Sequence, residues 1–221
     1  MSNVPKLRFK EFSGEWETKN IGQIGTFFSG GTPTSSNKSY YGGSIPFIGS
    51  GKISSNEVDQ YITEEALFNS SAKMIEKGDL LYALYGATSG AVAISKINGA
   101  INQAVLCIRT NENKLFLMTW FQKNKNKILD TYLQGGQGNL SAQIVKSFKV
   151  QFPSKQEQEK IASFLTSIDS KIEQLTKKES LLQEYKKGVM QKIFNQGIRF
   201  KDDDGSEFCD WEKEKLGKYL V

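Results

Sequence analysis

Along the first 153 positions the apolar residues fall in short runs separated by clusters of glycine, serine and asparagine. Ile45-Pro46-Phe47-Ile48, Leu80-Leu81-Tyr82-Ala83-Leu84-Tyr85, Ala91-Val92-Ala93-Ile94 and Ala104-Val105-Leu106-Cys107-Ile108 have the length and flanking turn residues of strands. Helical spacing interrupts them at Glu64 to Ile75. It does so more clearly from Leu115 to Leu133, where Leu115, Met118, Phe121, Ile128, Leu129 and Tyr132 recur near the helical period. These patterns predict an α+β fold, with a mixed α and β domain over residues 1–153.

The pattern changes after Pro153. Ser154 followed three positions later by Glu157 has the form of a capping box, so a helix is expected to start there. From that point the apolar positions step by four and three: Ile161, Leu165, Ile168, Ile172 and Leu175, then Leu182, Val189 and Ile193. Glu179 and Lys186 occupy the intervening seam positions, flanked by Leu181 and Tyr185, and Gly188 is the first weak point. A helix over 154–195 would be roughly 60 Å long at ~1.5 Å per residue. The preceding domain cannot cover so long a stripe, so a partner helix is implied. A kinked helix that folds back on its own domain is the alternative, and both stay open.

The end of the chain echoes its beginning. Ile198-Arg199-Phe200-Lys201, Trp211-Glu212 and Leu216-Gly217 repeat Leu7-Arg8-Phe9-Lys10, Trp16-Glu17 and Ile21-Gly22, at an offset of 191 residues for the first block and 195 for the other two. A tandem repeat of domain plus long helix is therefore expected, with residues 196–221 as the start of a second unit.

Charge and composition narrow the chemistry. Residues 1–154 carry 16 Lys and Arg against 11 Asp and Glu, residues 155–195 carry 8 against 6, and residues 196–221 carry 5 against 7. The first segment thus holds an excess that permits contact with a polyanion. Histidine is absent, which removes the commonest general base and most catalytic zinc arrangements. Cys107 and Cys209 stand far apart in unlike settings, so no disulfide and no metal site is expected. Met1-Ser2-Asn3-Val4-Pro5-Lys6 lacks the apolar core of a secretion signal, and no stretch has the length of a membrane span, so a cytoplasmic location is expected.

Several loops carry side chains suited to a nucleic acid. Gly30-Gly31-Thr32-Pro33-Thr34 leads into Ser35, Ser36, Lys38, Tyr40 and Tyr41, where hydroxyls reach base edges and lysine reaches phosphate. A surface turn with the tyrosines packed beneath it explains the same residues equally well. Gly49-Ser50-Gly51-Lys52-Ile53 fails the phosphate-loop pattern, having Pro46 and Ile53 where Gly and Ser or Thr are required. It reads as a turn that exposes Lys52. Tyr85, Thr88 and Ser89 surround a second small-residue loop. Asn102, Gln103, Gln134, Gln137 and Asn139 place amides, which can pair bidentately with adenine, on further turns. Lys123, Lys125 and Lys127 read as a solvated helix face. Asp59, Glu64, Glu65, Glu76 and Asp79 show no pairing with a nucleophile or metal ligand and read as surface charge.

Taken in order, the motifs resemble the specificity subunit of type I restriction-modification systems. The carrying residues are Trp16 with Ile21-Gly22-Gln23-Ile24, Gly30-Gly31-Thr32-Pro33, Tyr41-Gly42-Gly43-Ser44-Ile45-Pro46-Phe47-Ile48 and Asn102-Gln103. Gln137-Gly138-Asn139-Leu140-Ser141 follows, then Pro153 and Glu157-Gln158-Glu159-Lys160-Ile161-Ala162 leading to Leu165 and Asp169. The resemblance implies a target-recognition domain and a spacer helix, a unit that normally occurs twice in one non-catalytic subunit with its two helices antiparallel. It implies double-stranded DNA as ligand, modification subunits that bring S-adenosylmethionine, and restriction subunits that bring ATP and Mg. This sequence holds one complete unit, so a homodimer through the helix stripe and an inverted-repeat target are expected. A coiled-coil assembly module without DNA, or an enzyme fragment lacking its catalytic part, are the competing readings.

Overall fold

Strand pairing gathers the short apolar runs into sheets. The computed structural model describes residues 5–132 and 139–219. In chain order these form β1 (Glu17–Asn20), β2 (Gly25–Ser29), β3 (Tyr41–Ile48), β4 (Tyr61–Ile62), α1 (Glu64–Phe68), β5 (Lys73–Ile75), β6 (Leu80–Ala83), β7 (Val92–Ile94), β8 (Gly99–Ile101), β9 (Val105–Thr110), α2 (Lys114–Tyr132), α3 (Ala142–Ser147), β10 (Lys149–Phe152) and α4 (Lys155–Phe194). Single 3-10 turns occupy Ile21–Gln23, Lys38–Tyr40, Ser50–Lys52 and Leu216–Lys218. One sheet runs β2-β9-β6-β7, all antiparallel, and a second runs β4-β3-β8-β5, with β3 and β8 parallel. A ribbon of β1 and β10 pairs Glu17 to Asn20 with Phe152 to Lys149. The fold is α+β.

Alternation along β6 and β9 sets the layers. Leu80, Tyr82, Leu106 and Ile108 face one core with Phe116, Leu117, Phe121 and Ile128 of α2, together with Ile21, Phe148, Val150 and Phe152. The alternate residues Leu81, Ala83, Val105 and Cys107 face a second core shared with Ile48, Ile75 and Ile101 of the other sheet. Phe47 and Ala100 point to the far side of that second sheet, against Ile62 and Ala66 of α1. All four residues of β6 are buried, so its apolar run is continuous because both faces are covered. Each fully buried aliphatic side chain contributes about 1.5–3 kcal/mol relative to exposure.

Two sequence expectations change. The stretch from Glu64 to Ile75 is not one helix: Thr63 Oγ1 caps α1, which stops after Phe68, and Lys73–Ile75 becomes β5 against β8. Asn69, Ser70 and Ser71 break the helix, with Ser70 Oγ accepting from the Ala72 N–H instead. In α2 the buried stripe is Phe116, Leu117, Phe121 and Ile128, turned from the predicted one so that Leu115 and Met118 lie at its margin. Asn113 Oδ1 caps this helix by accepting from the Phe116 N–H at 3.0 Å.

The chain divides into two compact units, Met1–Leu165 and Thr166–Val221, and α4 begins in the first and continues into the second. Its first turn is sunk into the domain through polar side chains. Ser154 Oγ accepts from the Glu157 N–H, while the Glu157 carboxylate turns to Arg8, receiving Nε on one oxygen and Nη2 on the other, both at 2.7 Å. Trp16 Nε1 donates to the same carboxylate at 3.3 Å. Glu157 is thus an ion-pair partner of the amino-terminal segment in addition to a helix-start residue, and its side chain is 1% exposed. Gln158, also buried, accepts from the Asn113 N–H and donates to Glu112 and the Pro153 carbonyl. A buried carboxylate is tolerable only when paired and hydrogen-bonded, as here.

In the second unit the helix passes Gly188 without interruption and ends where Gln196 adopts a left-handed conformation, φ 57°, with the Gly197 N–H returning to the Lys192 carbonyl. Ile168, Ile172, Leu175 and Leu182 are exposed and Val189 and Ile193 partly so; in the first unit, Ile161 and Leu165 are partly buried. Among the described residues no helix is long and apolar enough to cross a membrane.

Candidate nucleic-acid interface

The loop after β2 can run against β8 only because it starts with glycine. A Cβ at Gly30 would lie 1.7 Å from the Ile101 carbonyl oxygen, and one at Gly31 would lie 2.5 Å from Ser71 Cβ. This close passage brings Thr32 to Gln103, where Thr32 Oγ1 donates to Gln103 Oε1 at 2.7 Å. The Gly30 N–H donates to the Asn102 carbonyl at 3.2 Å. The loop then bends through the 3-10 turn Lys38–Tyr40, capped by Asn37 Oδ1.

A cleft of about 650 Å³ opens beside this loop, lined by Thr32, Ser35, Lys38, Tyr41, Gly42, Gly43, Asp59, Gln60 and Tyr61. Four of the predicted residues meet there. Tyr40 and Tyr41 pack against the apolar cluster around Phe47 and Ile62, and the Tyr41 hydroxyl donates to the Pro33 carbonyl at 2.8 Å. The tyrosines therefore brace the loop from beneath, and the polar reach into the cleft falls to Thr32, Ser35 and Lys38. Ser36 is exposed on the same loop.

The other predicted loops adjoin this end of the domain in a chain of contacts. A Cβ at Gly49 would lie 3.7 Å from Asn102 Nδ2, and one at Gly86 would lie 3.8 Å from Ser50 Oγ. The Leu140 N–H donates to the Leu84 carbonyl at 3.0 Å, which brings Asn139 to the loop holding Tyr85, Thr88 and Ser89. Gln134 and Gln137 lie outside the described residues. Not every member is free to bind. Ser89 Oγ donates to the Leu84 carbonyl, Asn102 Oδ1 accepts from the Ala104 N–H, and Tyr85 packs against the apolar core. Burial pushes the Tyr85 hydroxyl above its ordinary titration range.

Lys52 is held at 2.9 Å from Asp59, a residue that lines the cleft. This hydrogen bond and the charge of Asp59 raise the Lys52 ammonium above its usual range, so it stays cationic. Asp59 reads as surface charge in the sequence and Gln60 and Tyr61 carry no signal there, because only the pairing of Tyr61 with Pro46 places the three across from Tyr41. An acid at the cleft can anchor Lys52 or accept from the amino group of cytosine.

Two further groups depart from expectation. Asp79 is not surface charge: it is buried and takes Arg109 Nε and Nη2 at 3.0 and 2.8 Å. Burial alone would push its carboxyl up, but the Arg109 hydrogen bonds, the Glu76 N–H and the nearby Lys114 outweigh it and hold it below the usual carboxylate range. The lysines of α2 split. Lys125 packs across Gly90, while Lys123 and Lys127 line a separate groove of about 510 Å³ with Lys149, Trp16 and Trp120. Both cysteines are free, and burial pushes the Cys107 thiol up to about 12.

A two-sheet α+β domain with polar loops gathered beside one cleft, followed by a long helix with an unpartnered stripe, is a class of architecture shared with proteins of known kind. The chain belongs to the family described as type I restriction modification DNA specificity domain, whose model matches residues 13–183. It is 28% identical over 225 residues to the type I restriction enzyme MjaIX specificity subunit of Methanocaldococcus jannaschii, covering 93% of this chain and 52% of that protein. It is 29% identical over 181 residues to the EcoR124I/EcoR124II specificity subunit of Escherichia coli, covering 77% and 44%. The crystal structure of the HsdS subunit from Thermoanaerobacter tengcongensis shares the fold, with a TM-score of 0.60 at 16% identity over 88% of this chain and 48% of that one. The chain spans about half the length of the curated relatives it matches.

Proposed function

We propose that this chain reads DNA sequence as the non-catalytic specificity component of a type I restriction-modification complex in the cytoplasm. The observation that carries this reading is the meeting of Thr32, Ser35 and Lys38 at one cleft, with Lys52, Asn102, Gln103, Thr88 and Asn139 on the loops that adjoin it, in a domain of the specificity family. Lysines would hold phosphates and fix the register, while hydroxyls and amides would read base edges. Chemistry would lie on partners: S-adenosylmethionine on modification subunits, ATP and Mg on restriction subunits.

The exposed stripe from Ile168 to Ile193 would pair with a second copy in the antiparallel sense and give a two-fold dimer. Two-fold symmetry requires an inverted-repeat target interrupted by the span between the two domains. Selection from a random duplex library tests both points. The expected product is an interrupted palindrome whose binding weakens steeply with salt. Recovery of unrelated sequences alongside a dimeric mass would favour the assembly module that binds no DNA.

A further inference from the structure

The echo between the two ends of the chain extends to atomic detail. Arg8 donates from Nη2 to the Ser13 carbonyl and from Nη1 to the Gly14 carbonyl, at 3.2 and 2.7 Å. Arg199 donates to the carbonyls of Phe208 and Cys209 at 2.8 and 2.6 Å, and these are the positions that correspond to Ser13 and Gly14 at the offset of 195. The 3-10 turn Ile21–Gln23 has its counterpart at Leu216–Lys218, at the same offset. The later segment therefore folds locally as the earlier one does.

The surroundings differ. Arg8 and Trp16 close on the buried carboxylate of Glu157, Ile21 is fully buried, and the Phe9 ring meets Phe164 at 5.9 Å. Among the described residues the carboxylate that Arg199 meets is that of Asp210, whose side chain is 91% exposed, and Phe200, Trp211 and Leu216 are 70%, 51% and 74% exposed. Among the described residues, the segment has the local form of the earlier clamp with no buried carboxylate held by Arg199 and Trp211.

We propose that residues 198–217 replace residues 7–22 on Glu157 of a second copy of this chain, so that Arg199 and Trp211 grip the first turn of the partner's long helix. The inference deepens the paired-chain reading above and rests on it. Antiparallel pairing of the stripes brings the end of one helix, and hence this segment, to the start of the other. The segment displaced lies outside the two main sheets. It is held by the four-residue ribbon of β1 with β10, by ion pairs of Arg8 with Glu157, Glu11 with Lys160 and Lys19 with Glu112, by the rings of Phe9 and Trp16 against Phe164 and Phe116, and by buried Ile21. The incoming segment supplies Arg199, Phe200, Trp211 and Leu216 at the matching places. The exchange ends at Gly217, because Ile24 leads directly into β2 and stays with its own chain. Charge favours the encounter, since residues 196–221 hold 5 basic against 7 acidic side chains and residues 1–154 hold 16 against 11.

The exchange puts Phe200 of one copy where Phe9 stood, against Phe164 of the other. Two variants of this chain, one with Phe164→Cys and one with Phe200→Cys, both with Cys209→Ser, are mixed and treated with a short thiol cross-linker. The proposal expects a covalent heterodimer. Arg199→Ala on the second variant lowers its yield by roughly fivefold or more, the scale of losing a charge-assisted bidentate pair. Arg8→Ala on the first variant raises the yield by weakening the resident clamp. Paired chains in light scattering with no cross-link, or a cross-link indifferent to Arg199→Ala, overturn the exchange while the pairing stands. A monomeric mass overturns the pairing and the exchange together.

Discussion

Strand β9 and the second half of α4 are both rich in apolar residues, yet they meet opposite fates. Val105, Leu106, Cys107 and Ile108 are wholly buried, whereas Ile172, Leu175 and Leu182 are 56%, 54% and 55% exposed. Burial in β9 is completed by the chain itself, with one face against α2 and the other against the second sheet. Among the described residues, the helix stripe has no such cover in its own unit. The difference separates two kinds of information in one sequence: the first specifies a fold, and the second, on the proposed reading, an assembly.

The largest test of that contrast is a pair of substitutions. Leu81→Ala in the shared core is expected to cost about 2–5 kcal/mol of unfolding free energy, read by urea denaturation, because it opens a cavity between the sheets. Leu175→Asp should leave the unfolding of the domain nearly unchanged while reducing the light-scattering mass from dimer to monomer. If both changes destabilise the domain alike, the contrast is broken.

Glu157 stands where the two kinds of information meet. Glu157→Gln leaves Arg8 without its counter-charge and should cost about 2–4 kcal/mol, somewhat less than outright loss of a buried partner because the amide keeps part of the hydrogen bonding. Differential scanning calorimetry checks it. Acid sharpens the comparison further. The Asp79 carboxyl titrates below its unfolded value of about 3.9, so its contribution is present above that pH and is lost as pH falls through the lower folded value. Asp79→Asn should abolish that part of the acid dependence and lower the neutral-pH melting temperature. The smallest expected effect concerns charge at the cleft. Lys38→Ala should reduce the slope of log affinity against log salt by about 1 if its ammonium meets a phosphate.

What could be read in the sequence follows the range of the interactions involved. The long helix was legible because its spacing repeats locally from Ile161 to Ile193, and the run Leu80 to Ala83 was legible as a strand. The burial of both faces of that strand was not, since a continuous apolar run has no period to interpret. The break after Phe68 was hidden by helical spacing that continues past it, and only pairing of Lys73–Ile75 with Gly99–Ile101 shows the strand. Asp79 looked like surface charge because Arg109 lies 30 residues away. The loops carrying Thr32, Lys52, Thr88 and Asn102 were legible one by one as turns with polar reach. That they adjoin at one end depends on contacts no local pattern encodes, such as Thr32 with Gln103. The same holds for Asp59, Gln60 and Tyr61, which complete the cleft from another strand.

The most direct test of the central claim is a repeat of the random-library selection with the cleft altered, replacing Thr32 by Val, Ser35 by Ala and Lys38 by Ala in one chain that keeps its stripe and its core. The account predicts that this chain remains folded and dimeric but loses the selected palindrome or enriches a different one. Enrichment of the same sequence at the same strength would contradict it and place base recognition elsewhere on the domain.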